Sequence, residues 1–112
     1  MTLQEFSDIT LKVIRDDGIA DYLPTLALPE TKKIQAIQGI PPHVDHREAI
    51  QNVVRRSGFE KREFFFGVLS SPGRLTIGYY RPGQPTEFME ISETPSGYAA
   101  TPVASCDWWR VS

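Results

Sequence analysis

The residues best suited to metal binding or acid–base catalysis are two histidines and an aspartate, His43, Asp45 and His46, within the segment "PPHVDHREAIQNVV". Imidazole and carboxylate groups suit zinc or iron, and a histidine can also act as a general base. No other histidine is present, so further ligands would have to come from distant acidic residues or from Cys106. This segment raises one alternative: a small metal-dependent or acid–base enzyme.

The same segment also reads as a helix start. Aspartate is a favoured N-cap residue, and Glu48 stands three positions after Asp45, as in a capping box. A carboxylate bonded to helix N–H groups is a poorer metal ligand, and the positive end of the helix dipole disfavours a cation. Because His43 and His46 lie on either side of the cap, their spacing does not bring them to one side. We favour the N-cap interpretation and expect no cofactor.

Other reactive side chains lack the neighbours that catalysis requires. Cys106 matches no nucleophile signature, and a lone cysteine is usually a small buried apolar residue. Arg74 and Arg81 flank a predicted strand and could clamp an anion, although exposed arginines on strands usually bind nothing specific. No phosphate loop, dinucleotide fingerprint or nucleophile elbow is present. We therefore expect a protein that is not an enzyme.

Aromatic residues provide the strongest indication of a binding surface. Trp108 and Trp109 are adjacent, and neighbours on a strand point to opposite faces of a sheet. One tryptophan would lie under the helices and the other on the second face, beside Phe65, Tyr80 or Phe88. Such a face binds another subunit, holds a ligand or is sheltered by a loop, and Trp and Tyr are favoured at interfaces.

Hydrophobic periodicity predicts two helices, at residues 3–16 and 46–57. Thr2 with Glu5 fits a capping box, and Gly18 and Gly58 can close the two helix ends. Residues 22–40 are compatible with a hairpin, with strands near 24–28 and 32–38, or with a helical turn. Flanking prolines and β-branched residues favour the hairpin.

From residue 60 onward the period changes to two. The segment "EFFFGVLSSPGRLTIGYY" predicts a hairpin, followed by a strand near 86–92 and one or two strands from "YAATPVA" and "CDWWRV". The expected pairs in the first hairpin are Val68 with Leu75, Phe66 with Ile77, and Phe64 with Tyr79. Phe65 would then lie over the bare backbone of Gly67 and Gly78. The predicted fold is α+β: an antiparallel meander sheet of about four to six strands with two helices packed on one face.

Composition narrows the function further. The 112 residues suggest a single domain, residues 1–112, and 12 Lys and Arg against 14 Asp and Glu give a net charge of −2. This scattered charge does not favour nucleic acid, and no apolar run reaches the roughly 18 residues that span a membrane. The N-terminus is acidic and amphipathic, unlike a signal peptide, so we expect a cytoplasmic location.

The leading hypothesis is a non-enzymatic binding module that uses an aromatic sheet face to contact a protein partner, with a second copy of the chain as one candidate. A homodimer would cover the sheet face that two helices on one side leave open. A further alternative is a small-molecule-binding domain with a pocket between the sheet and the helix at 46–57.

Overall fold

The computed structural model describes residues 1–31 and 33–111. Its elements in chain order are helix α1 (Leu3–Asp17), strands β1 (Thr25–Ala27) and β2 (Ile34–Ala36), helix α2 (His46–Arg56), a 3-10 turn (Phe59–Lys61), and strands β3 (Phe64–Ser71), β4 (Arg74–Tyr80), β5 (Glu87–Thr94) and β6 (Gly97–Val103). All strand pairs are antiparallel, in the order β2-β1-β3-β4-β5-β6. The predicted α+β class, both helices and the hairpin within 22–40 are confirmed. Among the described residues, no helix is long and apolar enough to cross a membrane.

Helix α1 begins as the sequence predicts. The Thr2 hydroxyl accepts a hydrogen bond from the Glu5 backbone N–H at 3.1 Å, which satisfies one of the free donors of the first turn. The helix closes at Gly18, whose φ of 83° lies in the left-handed region. These local signals fix both ends of a helix whose apolar side lies on the sheet.

The two helices lie on opposite faces of the sheet, so the expectation that they share one face is wrong. Helix α1 packs through Phe6 and Ile14 in one buried cluster with Phe65, whereas Ile50 of α2 belongs to the other cluster with Phe66. The reason lies in β3, where consecutive phenylalanines place a bulky ring on each face in turn. Both faces are apolar there, and each requires its own cover. We call them the α1 face and the α2 face.

The β3–β4 register also differs from the expected one. A β-bulge between Leu69 and Ser71 adds a residue to β3, and Phe66 therefore lies opposite Gly78 rather than Ile77. The expected pairs came from the alternation of apolar residues on the two strands, which assumes a regular hairpin. The extra residue shifts the pairing by one position, so those expected pairs are wrong. The observed pairs are Phe64–Tyr80, Phe65–Tyr79, Phe66–Gly78 and Val68–Thr76.

The C-terminal segment, residues 104–111, is not the strand that "CDWWRV" predicted. It contains a turn in which the Trp109 N–H donates to the Cys106 carbonyl at 3.3 Å. Because the backbone turns here, both Trp108 and Trp109 pack against the cluster on the α2 face. The expectation that they lie on opposite faces of the sheet is therefore wrong. The chain's own C-terminal segment, together with α2, covers the α2 face.

Candidate functional site

Helix α2 holds the C-terminal segment through a buried glutamine. The Gln51 side chain accepts from the Arg110 backbone N–H at 2.6 Å through Oε1, and its Nε2 donates to the Arg47 carbonyl at 3.1 Å. The Arg55 guanidinium donates through Nη2 to the Arg110 carbonyl at 3.2 Å. Both backbone polar groups of Arg110 are thus bonded to side chains of α2. This arrangement fixes the distance between the helix and the segment.

Trp109 fixes the segment to the sheet. Its indole stacks on Phe66, with ring centroids 4.1 Å apart and planes 7° apart. The Phe66 ring occupies the space that a side chain on Gly78 would need, since a Cβ there would overlap its Cε1 and Cζ atoms. Gly78, Phe66 and Trp109 therefore form three consecutive layers. The Trp109 Nε1 is buried without a hydrogen-bond partner among the described residues, so packing alone holds this ring.

A polar cleft of about 490 Å³ opens between α2 and the anchored segment. We call it the α2 cleft. Its volume lies within the range of small-molecule sites, roughly 300–1,000 Å³. The residues that line it are Asp45, Arg47, Glu48, Gln51, Asn52, Arg55, Trp108 and Arg110.

The two ends of the α2 cleft differ in charge. At the N-terminal end of α2, the Arg47 guanidinium bonds both oxygens of Asp45, with Nη2 at 2.7 Å and Nε at 3.1 and 3.2 Å. This hydrogen bonding by Arg47 holds the pKa of Asp45 below its ordinary value. At the other end, neither Arg55 nor Arg110 forms an ion pair within residues 1–31 and 33–111. The positive charge that is not neutralised therefore lies at the C-terminal end of α2.

The N-cap interpretation of "HVDH" is confirmed. Asp45 is the N-cap of α2, and its carboxylate accepts from the Arg47 backbone N–H at 2.8 Å. The capping box with Glu48 did not form as expected, because the cap bonds the second helical residue rather than the third. His43 is exposed. In the described part of the chain, no group of three or more His, Cys, Asp or Glu side chains is placed to hold a metal ion.

A second, more apolar cleft of about 580 Å³ lies at the tip of the β3–β4 hairpin and brings His46 close to Ser70 and Ser71. These residue types serve nucleophilic catalysis when they are bonded to one another. Here the Ser70 hydroxyl donates to the Arg74 carbonyl at 3.4 Å, and Asp45 is bonded to Arg47. The Ser70 hydroxyl and the Asp45 carboxylate are therefore bonded to other groups and not to His46.

Most of the predicted aromatic binding residues are core residues. Phe65, Tyr80 and Phe88 are 0%, 1% and 8% exposed, so the expectation that they line an open sheet face is wrong. Phe65 lies beneath α1, on the opposite face from the other two. Trp109 is part of the three-layer stack. Trp108 and Trp109 are both half-buried, and of these five residues Trp108 is the one that lines the α2 cleft.

The other candidates are paired or shielded. Arg74 faces Glu90 at 4.0 Å and Arg81 faces Glu87 at 3.2 Å, which weakens the expectation that these arginines clamp an anion. Cys106 is half-buried, and burial raises the pKa of its thiol, the opposite of what activates a cysteine nucleophile.

Apart from Asp45 and Trp108, sequence reasoning missed the residues that line the α2 cleft. One signal was present: Gln51 follows Ile50 and precedes Val54 at helical spacing, which places an amide within the apolar stripe of α2. A buried amide requires partners, and such a residue points to a polar contact across the helix. Arg55 and Arg110 gave no comparable signal, because 55 positions separate them.

A scan against protein-family models finds no match to this chain, and searches of curated proteins and of solved structures also find none.

Proposed function

We propose that this protein is a non-enzymatic binding module whose ligand site is the α2 cleft. The observation that supports this proposal most is the convergence of three arginines, two side-chain amides and Trp108 around one cleft of ligand size. Small-molecule sites combine a concave shape with a few polar groups and an aromatic surface.

The walls of the cleft are fixed before any ligand arrives. Gln51 and Arg55 hold the backbone of Arg110, and Trp109 is stacked on the buried Phe66 ring. A site that is already ordered loses less conformational entropy on binding, which favours affinity. The same contacts make the cleft part of the folded unit rather than a gap between mobile parts.

The proposed ligand is a small molecule and not the protein partner that the sequence led us to expect. The case for a protein partner, including a second copy of the chain, depended on an uncovered aromatic sheet face. In this fold α1 covers one face, and α2 with the C-terminal segment covers the other. We therefore expect the mass of a monomer from light scattering after size exclusion. A dimer that Trp108→Leu dissociates without unfolding would instead show that this surface binds a second copy of the chain.

A thermal-shift screen of a small-molecule library tests the proposal, because a ligand that binds only the folded state raises the melting temperature. The test variant is Trp108→Leu, and the matched control is Tyr98→Leu, a half-buried aromatic residue that packs on the α1 face. We expect hits whose shift is lost in Trp108→Leu and kept in Tyr98→Leu. A library without hits, or hits that bind Trp108→Leu equally well, would refute the α2 cleft as the site.

A further inference from the structure

We infer that the ligand of the α2 cleft combines an oxyanion, carboxylate or phosphate, with a flat ring: Arg55 and Arg110 bind the oxyanion, and Trp108 contacts the ring. This inference rests on the proposed function, since it names the chemistry of a ligand in that same cleft.

The charges around the cleft locate the anion. Arg47 already bonds both carboxylate oxygens of Asp45, and its charge is neutralised. Arg55 and Arg110, at the other end, form no ion pair with any residue of 1–31 or 33–111, and they lie beyond the two acidic residues of the lining, Asp45 and Glu48. The C-terminus of α2 contributes about half a negative elementary charge, which opposes an anion but is smaller than the two positive charges of the guanidiniums.

The geometry of Arg55 favours binding over free solvation. One of its N–H groups donates to the Arg110 carbonyl at 3.2 Å, which restrains the guanidinium and leaves its other donors for a ligand. Guanidinium groups bind carboxylate and phosphate through paired hydrogen bonds, and a restrained side chain loses less entropy in doing so. The Arg110 side chain is exposed, while its backbone is held by α2, so its guanidinium is attached to a fixed point.

The ring site follows from Trp108. Its indole is held edge-to-face against Trp109, with centroids 5.9 Å apart and planes at 84°. Trp109 is itself fixed by stacking on Phe66, so Trp108 presents a half-exposed ring of defined orientation to the cleft. Aromatic rings favour offset-stacked or edge-to-face contacts with other rings. Asn52, also in the lining, supplies both a donor and an acceptor for polar atoms at the edge of a bound ring.

Two pairs of probes test the inference and separate the two oxyanions. Indole-3-acetate is compared with neutral indole-3-acetamide, and adenosine monophosphate is compared with adenosine, by isothermal titration calorimetry. The main variant is Arg110→Gln, because the backbone of Arg110, and not its side chain, holds the segment to α2. Arg55→Gln is the second variant. Arg56→Gln is the matched control, since Arg56 is an exposed neighbour that does not line the cleft.

We expect at least one acid to bind at least tenfold more tightly than its neutral analogue. This preference should fall below threefold in Arg110→Gln and Arg55→Gln, and it should persist in Arg56→Gln. Raising the salt concentration should weaken the binding of the acid and leave the affinity of the neutral analogue unchanged. The pair that shows the preference identifies carboxylate or phosphate as the preferred group.

The outcomes distinguish the inference from the proposed function. Neutral analogues that bind the cleft as tightly as the acids would overturn the oxyanion inference and leave the cleft as a site. The same follows if neither acid binds while other library compounds require Trp108. If no probe and no library compound binds, both proposals fail. A preference that Arg56→Gln removes as well would reflect general surface charge and would also overturn the inference.

Discussion

Replacing Gly78 by alanine should destabilise this protein far more than an added methyl group usually does. The Cβ would overlap the Phe66 ring, which is fully buried. That ring cannot simply rotate away, because Trp109 stacks on its other side with centroids 4.1 Å apart. Phe66 and Trp109 must therefore move together, and the C-terminal segment moves with them.

The magnitude follows from opposing terms. Alanine is favoured over glycine in a strand by about 0.5–1 kcal/mol, because it loses less backbone entropy on folding. Overpacking a core costs about 1–3 kcal/mol, and losing a buried phenylalanine altogether costs about 3–5 kcal/mol. Partial expulsion of Phe66 lies between these values, so we expect a net loss of about 2–4 kcal/mol. For a domain of this size that corresponds to a melting temperature lower by roughly 8–16 °C.

The assay is urea denaturation followed by far-UV circular dichroism and by tryptophan fluorescence. Gly67→Ala is the matched control: its Cβ would lie 3.0 Å from the Thr25 hydroxyl and 3.1 Å from the Tyr22 hydroxyl, a milder approach than the overlap at Gly78. Because the gain of about 0.5–1 kcal/mol from alanine opposes this milder crowding, we expect stability to change by less than about 1 kcal/mol. Phe66→Leu should partly rescue Gly78→Ala, with a coupling energy of about 1 kcal/mol or more. A neutral Gly78→Ala, or strictly additive losses, would refute the three-layer arrangement.

Three further predictions concern single side chains. Tyr80→Phe should cost about 1–2 kcal/mol in urea denaturation, because its hydroxyl donates to the Glu60 carbonyl at 2.7 Å; an unchanged midpoint would contradict that bond. Arg47 lowers the pKa of Asp45 in the folded state. The ionised Asp45 carboxylate therefore stabilises the fold at a pH above the pKa that Asp45 has in the unfolded chain, and this contribution is lost as the pH falls through its pKa in the folded protein. Denaturation at pH 7 and pH 2 should show a smaller acid-induced loss in Asp45→Asn than in the native protein, and equal losses would refute the linkage. The Cys106 thiol, whose pKa is raised by burial, should react with a disulfide reagent at pH 8 more slowly in the native protein than in urea; equal rates would show that it is not shielded.

The sequence predicts the elements well where local chemistry decides them. Thr2 and Asp45 cap the two helices because their side chains reach backbone donors within three positions. The hairpin between β1 and β2 follows from prolines and β-branched residues in a short segment. These features need no information from distant parts of the chain, and the structure confirms them.

The faces and the site could not be predicted in the same way, because they depend on a bulge and on long-range contacts. Alternation along β3 does not reveal the extra residue between Leu69 and Ser71, yet that residue decides which phenylalanine lies over Gly78. The segment "CDWWRV" has the apolar content of a strand, but a turn places both tryptophans on the α2 face. The α2 cleft depends on that turn, and the one local signal for it, Gln51 within the apolar stripe of α2, does not identify the segment that the amide contacts.

Some residues serve both the fold and the proposed site, and others serve mainly the site. Gln51 and Trp109 serve both, since they hold the segment in place and thereby form the cleft walls. The Arg110 guanidinium lines the cleft without bonding the backbone of another element, so changing it should alter binding at little cost in stability. Trp108 also packs against the cluster on the α2 face, so Trp108→Leu keeps an apolar side chain there. If the cleft had only a structural role, variants at Trp108 or Arg110 would change stability or change nothing. A loss of binding at unchanged stability is therefore the result that a purely structural role cannot produce.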